Sequence, residues 1–203
     1  MKIDPATISP AQVYQLMIGA IVPRPIAWVA TQSSAKKDNL APFSFFNGVT
    51  ASPPTLLFSA VNNREGVKKD TVRNIEETGE FVVSVVTESQ CELMVRTSRA
   101  FEYGVCEFTE CGVDKELSDR VKPFGVKGAP VIFECTLEKI VVIGEGPLAA
   151  NLVIGRIVLA KIADEVLVRP DSLVIDSEKL EAIGRMGGDD YVRTQSIFSI
   201  GRG

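Results

Sequence analysis

Runs of apolar residues, broken by polar turns, dominate the pattern of this chain and predict β-strands. Three of them lie within residues 23–31, 39–47 and 53–59, with small or hydroxylated residues at their ends. Runs of this length and composition suit strands that are buried on at least one face. In the middle run, Pro42 has no N–H group to donate to a sheet, so it predicts an edge strand, a bulge or a loop.

Later stretches of the chain add further strands. The β-branched run at 81–86 predicts a strand, and the alternating stretches 131–143 and 151–162 predict an antiparallel pair joined by a turn at 144–147. Neither a sustained βαβ alternation nor an internal repeat is present. Because closure of an antiparallel sheet removes its exposed edges, we predict a closed or partly closed barrel. The fold class is mainly β with peripheral helices, in a single domain over residues 1–203.

Two helices are predicted from their start and stop signals. Residues 9–12, Ser-Pro-Ala-Gln, form a capping-box pattern with proline at the first helical position. The second helix is predicted to begin with Asp70 as its N-cap residue and to end at Gly79. Residues 100–130 predict a long ordered excursion with short elements, and connections of this length usually carry function or contact a partner.

The absence of histidine narrows the possible chemistry more than any other feature of the composition. It excludes Ser-His-Asp and Cys-His catalysis, histidine-ligated metals and imidazole acid–base steps. The four cysteines form no Cys-x-x-Cys pair, so we expect reduced thiols and no metal site. A net charge of −4 argues against binding to nucleic acid or to a membrane surface. Without a visible secretory signal, we expect a cytoplasmic protein.

The triplet Lys69-Asp70-Thr71 stands where a loop enters the second helix. Free N–H groups and the positive end of the helix dipole make such a place a natural seat for phosphate. Lys69 adds charge and Thr71 a hydroxyl donor, whereas the Asp70 carboxylate is expected to turn back and cap the helix. Taken alone, the triplet favours an ordinary cap with a solvated lysine. Together with residues 23–47, it favours a phosphate site.

Arg24 lies between two prolines, which fix the point from which its side chain starts. A guanidinium held in this way suits a phosphate or a ring carbonyl, and a surface arginine at a strand entrance is an equally good interpretation. Ser44 and Asn47 offer further side-chain donors near the middle run. Trp28 is expected to pack in the core rather than to stack on a ligand ring.

Four motifs occur in a fixed order along the first part of the chain. They are Pro-Arg-Pro-Ile-Ala-Trp-Val at 23–29, Asn-Leu-Ala-Pro-Phe-Ser-Phe-Phe at 39–46, Ser-Pro-Pro at 52–54 and Lys-Asp-Thr-x-Arg-Asn at 69–74. In this order and spacing they resemble the flavin reductase-like, FMN-binding split-barrel family, in particular its flavoredoxin branch. Residues 183–191, Ile-Gly-Arg-Met-Gly-Gly-Asp-Asp-Tyr, resemble the last part of that branch.

This resemblance implies an antiparallel Greek-key split β-barrel of the FMN-binding type, in a homodimer with FMN near the subunit interface. The phosphate is expected near Arg24, Lys69 and Thr71, and the ring along residues 41–47. The residues that the resemblance assigns to the cofactor are Arg24, Thr31, Asn39, Ala41, Pro42, Phe43, Ser44, Asn47, Ser59, Lys69, Asp70, Thr71 and Arg185.

The activity implied by the resemblance is hydride transfer from NADH or NADPH to FMN, followed by electron transfer to a small-molecule or protein acceptor. No Gly-x-Gly-x-x-Gly motif follows a strand, so the nicotinamide is expected to visit as a substrate. Because the flavin carries this chemistry, no catalytic side chain is expected. One alternative is a flavoredoxin-type FMN electron carrier without reductase activity of its own. Another is a non-enzymatic interaction domain that has lost the cofactor.

Overall fold

The computed structural model describes residues 1–201, and its centre is a seven-stranded antiparallel sheet. The strands are β1 (Ala27–Gln32), β2 (Asp38–Phe43), β3 (Phe46–Ala51), β4 (Pro54–Val61), β5 (Glu80–Val85), β6 (Lys115–Glu116), β7 (Gly125–Val126), β8 (Val131–Ile143), β9 (Ala150–Ile162), β10 (Ile183–Arg185) and β11 (Tyr191–Arg193). The helices are α1 (Pro10–Ala20), α2 (Asp70–Thr78), α3 (Cys91–Arg96), α4 (Glu107–Cys111) and α5 (Ser177–Leu180). The large sheet has the order β2-β1-β5-β8-β9-β4-β3, and the pairs β6–β7 and β10–β11 form small sheets.

Side-chain alternation along β1 separates two hydrophobic cores. Ala27 and Val29 point into the barrel interior, while Trp28 and Ala30 point into a second core beneath α3 and α4. Trp28 is fully buried, and its indole Nε1 donates to Thr97 Oγ1 over 2.9 Å. The prediction that Trp28 packs in the core is therefore confirmed.

Gly155 in β9 makes room for the Phe81 ring at the centre of the barrel. A Cβ atom at this glycine would lie 2.2 Å from Phe81 Cζ. Gly155→Ala is therefore expected to lower the free energy of unfolding by about 1–3 kcal/mol, because the ring must leave its packed position. Urea denaturation measures this change. Gly48→Ala is the control, since no atom lies within 4 Å of its Cβ position, and equal midpoints for the two variants would contradict the prediction.

The mainly β, antiparallel fold predicted from the sequence is confirmed, with one change in the middle run. Residues 39–47 form two strands, because the chain turns at Ser44 and Phe45 between β2 and β3. Pro42 lies in β2, an edge strand of the large sheet, as its missing N–H group predicts. The capping box of α1 is also confirmed, since Ser9 N donates to Gln12 Oε1 over 2.9 Å and Gln12 N to Ser9 Oγ over 3.3 Å.

Residues 100–130 form the predicted ordered excursion, which carries α4, β6 and β7. A buried carboxylate on β8 anchors its second half. Glu134 accepts the backbone N–H groups of Asp119 at 2.9 Å and Arg120 at 2.6 Å. In the first half of residues 100–130, α4 packs against β2, next to the cleft described below. None of the helices within residues 1–201 is long and apolar enough to span a membrane.

Candidate functional site

A cleft of about 290 Å³ opens between the edge strand β2, the start of α2 and the segment that follows α3. Its walls are formed by residues 39 and 41–43 of β2, residues 63, 67–71 and 73 around the start of α2, and residues 97–101, 103 and 107. Small-molecule sites in proteins are usually concave, with apolar walls and a few directed polar groups. The cleft combines these features, and its two ends differ in chemistry.

The start of α2 forms the polar end of the cleft. Lys69 is the N-cap residue, and its carbonyl oxygen accepts the N–H groups of Val72 at 3.0 Å and Arg73 at 3.1 Å. The N–H groups of Asp70 and Thr71 have no hydrogen-bond partner among residues 1–201. Free N–H groups at the positive end of a helix dipole attract anions. This end of the cleft is therefore suited to a phosphate group.

The predicted capping role of Asp70 is wrong. Asp70 is the first residue inside α2 and makes no side-chain cap. Its carboxylate instead accepts the N–H of Gly104 over 3.3 Å, in the segment on the other side of the cleft. The loop therefore draws the carboxylate away from the free N–H groups, which lowers its repulsion toward an anion bound there.

Three cationic residues line the cleft together with the start of α2. Lys69 and Arg99 are exposed and form no ion pair among residues 1–201, while the Arg73 guanidinium stacks 3.9 Å from the centroid of the Tyr103 ring. Lys68 differs from them because its ammonium group pairs with Glu76 at 2.5 Å. Lys69, Arg73 and Arg99 thus add positive charge where the helix already favours an anion.

A buried hydrogen-bond network lies beneath the polar end. Asn39 Nδ2 donates to Thr71 Oγ1 over 3.0 Å and to Thr31 Oγ1 over 3.2 Å. Asn74 Nδ2 donates to Thr31 Oγ1 over 3.0 Å. Asn39 and Thr71 line the cleft. Thr31 does not line it and supports Asn39 through the hydrogen bond. This network fixes the side chains of Asn39 and Thr71 at the cleft wall.

The rest of the cleft lining is apolar and aromatic, and it meets the polar part where the Tyr103 ring stacks on Arg73. Ala41, Pro42 and Phe43 form one side, and Phe101 and Tyr103 contribute from the segment after α3. Walls of this kind suit a flat ring system, because aromatic faces pack well against one another. Together with the free N–H groups at the start of α2, they are suited to a ligand that carries both a ring and a phosphate group.

The structure keeps three other predicted residues away from the cleft lining. Ser44 Oγ accepts from Arg24 Nε over 3.3 Å, and Asn47 Oδ1 accepts the N–H of Gly48 over 2.9 Å. Ser59 lies in β4, where its N–H donates to Phe45 O over 2.8 Å. Ser44 lies in the turn that ends β2, and Asn47 and Ser59 come after it, so none of the three belongs to the wall formed by residues 41–43.

Arg24 is an internal clamp rather than a surface residue. It is only 4% exposed, and its guanidinium donates to Ile18 O at 2.7 Å, Ile21 O at 2.9 Å and Met186 O at 2.8 Å. Burial lowers the pKa of this arginine from its ordinary value. The interpretation of Arg24 as a surface arginine is wrong. Arg24 is not among the residues that line the cleft with the start of α2.

Arg185 belongs to the hairpin formed by β10 and β11. Its N–H donates to Arg24 O over 2.8 Å, and its guanidinium lies 4.6 Å from the centroid of the Tyr191 ring. Asp189 lies 3.9 Å from the same guanidinium. No residue of this hairpin lines the cleft of its own chain.

Glu107 is a cleft residue that the sequence analysis missed. It is 6% exposed, and its Oε2 accepts the N–H of Leu40 over 2.8 Å. Burial raises the pKa of Glu107 to about 7, and the charge of Asp70 raises it slightly. Hydrogen bonds from the N–H groups of Leu40 and of Glu107 itself lower this pKa, but they do not offset the burial. The available signal was local, because this glutamate stands between apolar residues, Cys106 and Phe108.

The raised pKa of Glu107 predicts a pH-dependent stability. Below the unfolded pKa the carboxyl group is protonated in both states and has no effect. As pH rises toward 7, it ionises in the unfolded chain first, so stability falls. Between pH 5 and pH 8, the free energy of unfolding of the natural chain is expected to fall by about 2–3 kcal/mol more than that of Glu107→Gln. Parallel pH profiles of the two proteins from urea denaturation would contradict this.

Comparison with known proteins decides the family. The sequence profile of the flavin reductase like domain matches residues 18–183. The chain belongs to the flavin reductase-like family. Membership of this family implies a flavin-related redox role.

Three solved structures with this fold are similar to this chain. Component B of nitrilotriacetate monooxygenase from Bacillus cereus is 32% identical, with a TM-score of 0.92 and 98% of each chain covered. The 2-nitrobenzoate 2-nitroreductase of Pseudomonas fluorescens is 29% identical, with a TM-score of 0.90, 100% of this chain covered and 96% of the other. A protein with a split barrel domain from Shewanella frigidimarina is 19% identical, with a TM-score of 0.83 and 100% of both chains covered, so the predicted split barrel is confirmed.

Proposed function

We propose that this flavin reductase-like protein binds FMN in the cleft and acts as an oxidoreductase. It takes hydride from NADH or NADPH onto the flavin and passes the electrons to a small-molecule or protein acceptor. The observation that carries the proposal is the pair of free N–H groups at the start of α2, framed by Lys69, Arg73 and Arg99 and opening onto the wall of residues 41–43.

In this proposal the chain supplies binding and orientation. The N–H groups of Asp70 and Thr71, with Lys69 and Arg99, hold the phosphate. The walls from residues 41–43 and Phe101 hold the ring and exclude water from its faces. FMN supplies the hydride and electron chemistry when it is bound, which is consistent with a chain that contains no histidine.

The names of two similar proteins support a redox function. One is a component of a monooxygenase and the other is a nitroreductase, at 32% and 29% identity to this chain. Both names denote redox proteins, although the two differ in substrate. We leave the electron acceptor open and propose only that it is reduced at this cleft.

We also propose a homodimer with FMN near the subunit interface. Large apolar side chains are exposed on α1, among them Tyr14 at 52% and Leu16 at 47%, and near the end of the chain, where Phe198 is 85% exposed. Exposed apolar patches of this kind mark association surfaces. Light scattering of the purified protein measures its mass, and a mass of one chain at micromolar concentration would contradict the dimer.

Anaerobic mixing with a nicotinamide tests the reductase function. The protein loaded with FMN is mixed with NADH or NADPH, and its absorption near the visible flavin band is followed. We expect prompt bleaching with at least one of the two, faster than for the same concentration of free FMN. A protein that binds FMN without bleaching would be an electron carrier. A protein that binds no FMN would contradict the proposal as a whole.

A further inference from the structure

Glu107 lies behind the ring wall of the cleft and is fixed there by the backbone of β2. Its Oε2 accepts the N–H of Leu40 over 2.8 Å, and the neighbours of Leu40, Asn39 and Ala41, both line the cleft. Glu107 is also one of the residues that line the cleft, although it is only 6% exposed. One carboxyl oxygen is thus held by the strand, at a residue that borders the cleft.

No cation neutralises this carboxyl group within residues 1–201. The titratable and charged groups on the elements packed around it are Asp38 of β2, Lys69, Asp70 and Arg73 at the start of α2, Arg99 and Tyr103 after α3, Cys106 and Cys111 at the two ends of α4, and Lys115 of β6. Lys115 pairs with Asp38 at 2.7 Å. The charge that acts on Glu107 most directly is that of Asp70, which has the same sign and raises its pKa further. The ionised form of Glu107 is therefore disfavoured by both burial and charge.

We propose that Glu107 is protonated when flavin is bound and donates its O–H to an acceptor atom of the flavin ring, so that flavin binding takes up one proton from solvent. This inference rests on the proposed function and adds a proton to the binding reaction. The balance is simple: a carboxylate and a solvent proton become a carboxyl group, and no electron moves.

The physical reason is the loss of water from the cleft. A neutral ring that fills the cleft removes water from the carboxyl group, which penalises its charge further. The protonated group keeps one oxygen as the acceptor for Leu40 N–H and gains an O–H donor on the other. Flavin rings carry carbonyl and nitrogen acceptors on their edges, so this donor has a partner. Flavin affinity is consequently expected to fall as pH rises above 7.

Isothermal titration calorimetry measures the proton directly. FMN is titrated into the protein at pH 8 in two buffers with different ionisation enthalpies, and the difference in binding enthalpy gives the number of protons taken up. At this pH the phosphate, with a second pKa of about 6, is already ionised and contributes little. We expect about half a proton or more per FMN for the natural chain. Glu107→Gln should bind FMN with an uptake near zero.

The control carries the same substitution on the same helix. Glu110 is an exposed glutamate of α4, so Glu110→Gln should keep the proton uptake of the natural chain. Equal uptake by Glu107→Gln and the natural chain would overturn the inference and leave FMN binding intact. Failure of the natural chain to bind FMN at any pH would overturn the proposed function as well.

A second measurement covers the case in which Glu107→Gln does not fold. The affinity of the natural chain for riboflavin, which has no phosphate, is measured by fluorescence quenching from pH 6.5 to 8.5. We expect it to fall over this range, with a limit of about tenfold per pH unit, as one linked proton requires. An affinity that does not change with pH would overturn the inference without reference to any variant.

Discussion

Replacing Lys69 and Arg99 together by alanine is expected to weaken FMN binding by about 100-fold or more. Each charge-assisted hydrogen bond to a phosphate contributes about 1.5–3 kcal/mol, so the loss of two corresponds to at least about 3 kcal/mol. Both side chains are exposed at the cleft rim and pair with no carboxylate among residues 1–201. Riboflavin lacks the phosphate, so its affinity should change by less than about threefold.

Fluorescence quenching of the two flavins measures this discrimination. Lys68→Ala is the matched control, because Lys68 also lines the cleft but is held by Glu76 at 2.5 Å. It should reduce the ratio of FMN to riboflavin affinity far less than the double variant does. If the double variant loses both flavins equally, or neither, then the phosphate does not lie at the start of α2.

Replacing Arg24 by methionine is expected to lower the free energy of unfolding by about 3 kcal/mol or more. The change leaves three backbone carbonyl groups, of Ile18, Ile21 and Met186, without the donor that now satisfies them. A buried polar group without a partner costs about 1–3 kcal/mol, which applies to the Ile18 carbonyl, while the other two contacts are partly buried and add less each. The residue also joins the end of α1 to the β10–β11 hairpin, so both elements should loosen.

Urea denaturation tests the clamp, and Arg185→Met is its control. The Arg185 guanidinium is half-buried over the Tyr191 ring and lies 3.9 Å from the exposed Asp189, and its side chain donates to no backbone carbonyl within residues 1–201, so its loss should cost about 0–1 kcal/mol. The Arg24 variant that remains folded should bind FMN with nearly unchanged affinity, because Arg24 does not line the cleft. A stable variant with greatly weakened FMN binding would instead support the phosphate contact predicted from the sequence.

The parts of the fold that sequence alone predicted are those determined by local pattern. The alternation at 131–143 matches β8, and the capping box at Ser9 begins α1. The turn at Ser44 and Phe45 was missed because three phenylalanines make the run look continuous. A continuous strand would place Phe43 and Phe45 on one face, but with the turn in place Phe46 packs with Phe43 against the barrel core.

In the candidate site, too, local motifs could be predicted from the sequence and contacts between distant residues could not. The start of α2 was predicted from a short motif whose chemistry is visible in the sequence, whereas the ring site along residues 41–47 was implied by the family resemblance. The partners of Arg24 and Glu107 were not predicted, because they lie far along the chain: 162 residues separate Arg24 from Met186, and 67 separate Glu107 from Leu40. Only folding brings such pairs together, so neither the clamp nor the buried carboxyl group follows from periodicity.

A crystal structure determined with saturating FMN tests the central claim most directly. We expect the phosphate within hydrogen-bond distance of the N–H groups of Asp70 and Thr71, with Lys69 and Arg99 beside it and the ring along residues 41–43. Density for the phosphate at Arg24, or a cleft filled by the protein's own side chains in the presence of excess FMN, would contradict the account.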